Sequence, residues 1–258
     1  MRAKPFDSTI LADAAGALLV VLALALYQSS CLGAELRVLV LNEENAPPYS
    51  NPEHTGFFEV VATEAFRRAG LELRIVTMPA ERALLLSESG ASDGELNRNP
   101  AVEKSYPNLV RVPEKLGELQ YVAFSKDGSI PGNLEALRGR PVGLIRGWKI
   151  YEQATAGRND VIAANDLDQM FRLLQLGRIE VALYELHMGR AYIKTHAVNL
   201  VRELNPPLFI RDQFIYLHKG HARQAPAIAA ALRAMKRDGT YQRLYRVKFL
   251  PYVKEGSP

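Results

Sequence analysis

The chain of 258 residues has one cysteine, Cys31, and one tryptophan, Trp148. A single thiol near the start leaves no disulfide framework, no cysteine metal site and no thiolate nucleophile for the body of the chain. Long basic runs are missing too. The 32 Lys and Arg against 28 Asp and Glu give a net charge of +4 spread along the sequence, which lends solubility but supplies no electrostatic footprint for nucleic acid. The five histidines are scattered, and no pair has the i, i+4 spacing beside a glutamate that a zinc site uses. There is no G-x-S-x-G elbow, phosphate-binding loop or G-x-G-x-x-G fingerprint, no fixed-period repeat and no low-complexity stretch. These absences argue against a metal, a cofactor and nucleophilic catalysis. Hydrophobic content of 48% is that of an ordinary globular chain.

One apolar run stands out. Residues 14–27, AAGALLVVLALALY, follow Arg2 and Lys4 and precede the small-residue stretch Ser29-Ser30-Cys31-Leu32-Gly33-Ala34. A bilayer span needs about 20 residues, so this shorter run reads as the apolar core of a secretory signal occupying residues 1–33. Periplasmic export is expected, with cleavage after Gly33 or Ala34. Lipid anchoring at Cys31 is less favoured, because Gln28-Ser29-Ser30 precedes it rather than a leucine and two small residues. Export without a disulfide means that burial alone holds the mature protein together.

The remainder alternates strand and helix. Leu36 to Leu41 predicts a buried strand, and Gly56 to Ala69 a helix with Phe57, Val60, Val61, Ala65 and Ala69 near one face, stopped at Gly70. Leu71 to Met78 reads as a strand, the stretch after Pro79 as a helix, and Asp93 to Leu96 as a short element. A second alternation follows: strand at 141–145, helix at 148–156, strand at 160–164, helix at 167–176, and strands at 179–184, 198–204 and 209–217. Two helices, 225–237 and 240–249, close the chain. Strand-helix units of this kind build mostly parallel sheets, whose ligands sit beyond the carboxyl ends of the strands. Pro47 and Pro48 stiffen the exit from the first strand and present Tyr49 either on a ligand rim or as a plain turn packed on the surface.

These segments carry a resemblance. The motifs "APPYS", "GFFEVVATEAFRRAGLEL", "ASDGEL", "YVAFSKDG", "LEALRGRPVGLIRGW", "GRIEVALYEL" and "AIAAALRAMKRDGTYQRLYRVKF" are individually weak, but their order over some 220 residues resembles extracellular solute-binding family 3, the periplasmic binders of polar amino acids. The resemblance implies an α/β, two-lobed type II periplasmic binding protein fold, each lobe a mostly parallel sheet flanked by helices. It implies lobe one at 35–117 plus 219–258, lobe two at 118–218, and two hinge crossovers near 115–119 and 208–218. Closure on a small polar ligand would be by hinge motion.

The same resemblance nominates site residues. Glu185 matches the carboxylate that accepts a ligand's amino group in such proteins, with Tyr184 beside it. The family's loop after the strand 141–145 offers a hydroxyl and backbone N–H groups to a ligand carboxylate; here Arg146-Gly147-Trp148 stands in that place, without the hydroxyl and with a large aromatic surface. The carboxylate-clamping arginine falls later in the family than Arg98 does here. Arg98 either takes over the clamp or pairs with Glu95, and Arg82 either reaches the cleft or stays on an exposed helix face. With Tyr49 and Phe57, these residues complete the candidate set. The implied function is an exported binding protein, monomeric, serving an ABC-type transporter or a membrane sensor. The alternatives are a cleft dehydratase like cyclohexadienyl dehydratase, with Glu95 or Glu185 as acid or base, and a partner-binding module without a ligand.

Overall fold

The computed structural model describes residues 37–252; the expected signal at 1–33 and Cys31 lie outside them. The first strand, β1 (Arg37–Glu43), ends at the proline loop, and α1 (Phe57–Arg68) begins where Gly56 N–H is bonded by the Glu59 carboxylate at 2.8 Å. This i, i+3 link satisfies one of the donors a helix start leaves free. Then come β2 (Leu71–Thr77), α2 (Ala80–Ser89), β3 (Gly94–Arg98), β4 (Leu109–Arg111) and the long β5 (Gly117–Ser125). The second series is β6 (Val142–Ile145), α3 (Lys149–Ala154), β7 (Val161–Ala164), α4 (Leu167–Gln175), β8 (Val181–Glu185) and α5 (Leu186–Thr195). After β9 (Arg202–Glu203) and β10 (Phe209–His218), α6 (Ala225–Arg237) and α7 (Thr240–Phe249) complete the described fold.

The strands follow one hydrogen-bonded path, β2-β1-β3-β10-β5-β8-β6-β7. Pairing is parallel for β1 with β3 and for β6 with β7 and β8, and antiparallel where β5 and β10 take part. β10 divides its length: its second part pairs with β3 and β4, and residues Phe209 to Gln213 pair with β5. The hydrophobic cores divide in the same way. One gathers Leu39 and Leu41 under Phe57, Phe58, Val61 and Phe66 of α1 and Ile228, Leu232 and Met235 of α6. Each fully buried phenylalanine of that kind contributes roughly 1.5–3 kcal/mol by leaving water. The other half has apolar packing on both sheet faces. Val122, Phe124, Ala182 and Tyr184 pack with α4 on one side, and Ala123, Leu144, Val181 and Leu183 with Tyr151 on the other. That alternation is the period of two that a strand imposes on its side chains.

Two expectations change. The strand expected at 198–204 shrinks to Arg202–Glu203, because Ala197 and Leu200 adopt positive φ (48° and 63°), which no strand accommodates. The sequence reading also left out α5, whose interior Gly189 weakens the helical pattern. The glycine is there for space: a Cβ would stand 2.3 Å from the Phe124 ring, so the helix lies directly on the sheet.

Candidate functional site

The antiparallel pair β5 and β10 crosses from one half to the other, in the register Tyr121 opposite Phe209 and Leu119 opposite Arg211. Alternation turns Leu119, Tyr121, Arg211 and Gln213 to one face, where a cavity of about 540 Å³ opens between the halves. Glu118 and Gln120 turn to the opposite face, beside a second cavity of about 380 Å³ lined by Phe57, His187, Tyr241, Tyr245 and Phe249. The larger cavity is of the size that holds small organic ligands.

One wall of the larger cavity is polar. Arg98, at the end of β3, bonds through Nε to Glu95 Oε2 at 2.8 Å, and its Nη1 stands 3.7 Å from Glu44. Glu95 also accepts from Ser87 Oγ and Asn42 Nδ2. Residues three apart on a regular strand point to opposite faces. Here a register shift brings them together, since Arg98 opposes Phe214 whereas Glu95 opposes Tyr216, leaving one extra residue on β3 as a bulge does. Burial pushes the Glu95 pKa upward against the pull of Arg98.

The facing wall is aromatic. Gly147, at φ 89°, turns the chain after β6 and delivers Trp148 to the cavity. The indole packs on Tyr184 at 4.6 Å between centroids, on Tyr151 at 6.1 Å and edgewise on Tyr121 at 6.3 Å. Tyr151 is anchored in turn, its hydroxyl donating to the Tyr184 carbonyl at 2.6 Å and the Val122 carbonyl at 3.2 Å. Gly147 N–H donates to Glu152 Oε1 at 2.7 Å, and Lys149 pairs with the other oxygen of that carboxylate.

Between the walls, Tyr49 from the proline loop reaches Glu185 at the end of β8. The tyrosine hydroxyl donates to Oε1 at 2.7 Å, Gln120 N–H to the same oxygen at 3.3 Å, and Met188 N–H to Oε2 at 2.9 Å. The last of these caps α5. Burial raises the Glu185 pKa from 4.5 to about 7 despite its donors, and the Tyr49 hydroxyl is pushed well up by its own burial.

Of the nominated residues, Tyr49, Arg98, Trp148 and Glu185 line the cavity together. Glu95 and Tyr184 stand one layer behind, holding Arg98 and Trp148. Phe57 packs in the core against Tyr241 and Phe249 and borders the second cavity. Arg82 and Arg146 are exposed and line neither cavity. Sequence reading left out Tyr121 and Arg211, which also line the cavity; Arg211 falls within the crossover expected at 208–218, whereas Tyr121 lies two residues beyond the one expected at 115–119. Among the described residues no group of three His, Cys, Asp or Glu is arranged to hold a metal ion.

No family model matches the chain. A curated relative, an uncharacterized protein of Shewanella oneidensis, is 26% identical over 212 residues, covering 76% of this chain and 78% of the relative. Among solved structures, an ancestral arginine-binding protein bound to glutamine matches with a TM-score of 0.61 at 22% identity, over 82% of this chain and 97% of that one. A histidine kinase sensor domain with similarity to periplasmic binding proteins matches at 0.62 and 19%, over 84% and 96%. The arginine-, lysine-, histidine-binding protein ArtJ of Geobacillus stearothermophilus matches at 0.61 and 15%, over 83% and 95%. At these identities the likeness is one of fold: the two-lobed architecture of type II periplasmic binding proteins.

Proposed function

We propose that this chain is an exported, non-catalytic binding protein whose two halves close on one small polar ligand in the cleft and release it by hinge motion about β5 and β10. The observation that carries this reading is the cavity of about 540 Å³, lined from both halves and floored by β5 and β10, the paired strands that run between them among the described residues. Tyr49 and Glu185, 136 residues apart in sequence, bond across it, a contact that supports closure of the two halves on each other. The apolar run at 14–27 supports periplasmic export, and the ligand then passes to an ABC-type transporter or is reported to a membrane sensor. Binding proteins for amino acids among the fold relatives support a small polar ligand.

The test is small-angle scattering of the purified protein, alone and with amino acids, polyamines, small carboxylates and cyclic acids. A ligand that shifts the balance of open and closed forms changes the radius of gyration and the profile. Profiles identical across the whole panel count against hinge closure. One observation favours an elimination enzyme instead: Glu185, titrating near 7, has the poise of a general acid. Its oxygens, however, are engaged by Tyr49, Gln120 and Met188, so binding is the better reading. Turnover of a prephenate-like acid, lost in Glu185→Gln, would reverse that order.

A further inference from the structure

The groups nominated from the resemblance to hold an α-amino acid are already engaged inside the protein. An ammonium needs a carboxylate with open lone pairs, and Glu185 takes three donors from the chain while buried at 1% exposure. A backbone N–H after β6 would meet an α-carboxylate, but Gly147 gives that hydrogen to Glu152 at 2.7 Å. A bidentate arginine clamp needs a free guanidinium, and Arg98 is held by Glu95 at 2.7 Å with Glu44 near its other end.

What remains open differs in kind. Arg211 lines the cavity with its guanidinium stacked 5.5 Å over its neighbour Phe209 and bonded only to the Ile210 carbonyl; among the described residues it has no carboxylate partner. Tyr121, two register positions along on the adjacent strand and so on the same face, brings a hydroxyl that makes no hydrogen bond to another described residue. Trp148 offers an indole face fixed by Tyr184, Tyr151 and Tyr121. The other lining cations have carboxylates beside them: Lys149 has Glu152, and Arg98 has Glu95 at 2.7 Å and Glu44 at 3.7 Å. Among the described residues Arg211 is the lining cation left without a carboxylate beside it.

We propose that the cleft takes an organic carboxylate that carries a flat aromatic ring and lacks an α-ammonium group, bound by Arg211 and the Tyr121 hydroxyl and stacked on Trp148. This rests on the reading of the cavity as the ligand site and names the chemical class it selects. A guanidinium and a phenol make charge-assisted bonds to a carboxylate, and an aromatic body gains from stacking on a fixed ring. An added ammonium would have to displace Tyr49 from Glu185, which costs a bond already made, or compete with Arg98 for the half-exposed Glu44, whose carboxylate stands 3.7 Å from that guanidinium.

The experiment compares probes that share one carbon skeleton. 3-Phenylpropanoate carries the ring and carboxylate, 3-phenylpropanamide loses the charge, L-phenylalanine adds the α-ammonium, and 3-cyclohexylpropanoate loses the planarity. Each is titrated into the purified protein by calorimetry and by Trp148 fluorescence, the chain having no second tryptophan. The carboxylate is expected to bind at least about ten-fold tighter than the amide and L-phenylalanine, about 1.4 kcal/mol, and more tightly than the cyclohexyl acid. Arg211→Gln should remove that preference for the carboxylate over the amide, and Arg211→Lys should recover part of it. Binding of L-phenylalanine, L-arginine or L-glutamine as tight as that of 3-phenylpropanoate overturns this assignment while leaving the binding function standing. Silence toward all the phenyl probes also overturns it; silence together with unchanged scattering across the wider panel removes the binding function as well.

Discussion

The two walls of the cleft are built on opposite principles. On the β3 side, the layer between the sheet and α2 is polar: Asn42, Ser87 and Glu95 are buried there and bonded to one another, with Arg98 at the edge. Glu43 lies near them, one of its oxygens without a donor and its pKa driven well up by burial. On the β6 side, Trp148, Tyr184, Tyr151 and Tyr121 form an aromatic cluster, in which the Tyr151 hydroxyl is tied to backbone carbonyls and Trp148 and Tyr121 line the cavity. An aromatic stack tolerates small shifts, because dispersion varies gradually with distance. A buried ionic layer is less forgiving, since every unmatched charge is expensive. The polar wall therefore fixes position, and the aromatic wall offers surface.

The comparison breaks most sharply at Glu95. Replacing it in Glu95→Ala strands the nearly buried Arg98, and urea unfolding should show a loss of about 3–5 kcal/mol. A loss below about 1 kcal/mol would mean that Arg98 swings to Glu44 or to solvent and that the polar wall is not rigid.

Glu185, between the walls, gives the next effect, which is read in pH. Its folded pKa of about 7 exceeds the ordinary 4.5, so in that window the native state holds a proton that the unfolded chain has released. Its contribution is present in full below pH 4.5 and is lost as pH rises to about 7, on the order of 3 kcal/mol in all. Glu185→Gln should flatten the stability profile by that amount between pH 4.5 and 7. His187, whose pKa burial lowers to about 3, runs the other way and is common to both proteins. Parallel profiles for the two would place the Glu185 titration outside this window.

The smallest effect sharpens the aromatic side. Tyr151→Phe removes a hydroxyl that serves two buried carbonyls and should cost about 1–2 kcal/mol. The stack itself remains, so the Trp148 emission maximum is expected to stay in place; a red shift would show that the hydroxyl, more than the ring packing, holds the indole.

Much of the fold was legible along the chain because it depends on local periodicity. The alternations at 141–145 and 209–217, the amphipathic pattern of 225–237 and the stop at Gly70 all map onto observed elements. α5 was not legible, since its cap is the Glu185 side chain and its glycine answers to a phenylalanine 65 residues earlier. The site divides in the same way. Sequence placed Tyr49, Trp148 and Glu185 at loop and strand ends, where α/β sheets hold ligands.

The sequence by itself determined the strand-helix order, the thiol-free body and the presence of polar and aromatic residues at the strand ends. Tertiary structure alone decided which of those residues remain available. The bulge on β3 joins Arg98 to Glu95, Glu152 takes the Gly147 hydrogen, and Tyr49 spends itself on Glu185. The pairing of β5 with β10 leaves Arg211 and Tyr121 on the cavity face. The physical reason is that periodicity assigns a face from neighbours in sequence, whereas a hydrogen bond or ion pair is satisfied by whichever group the fold brings within about 3 Å.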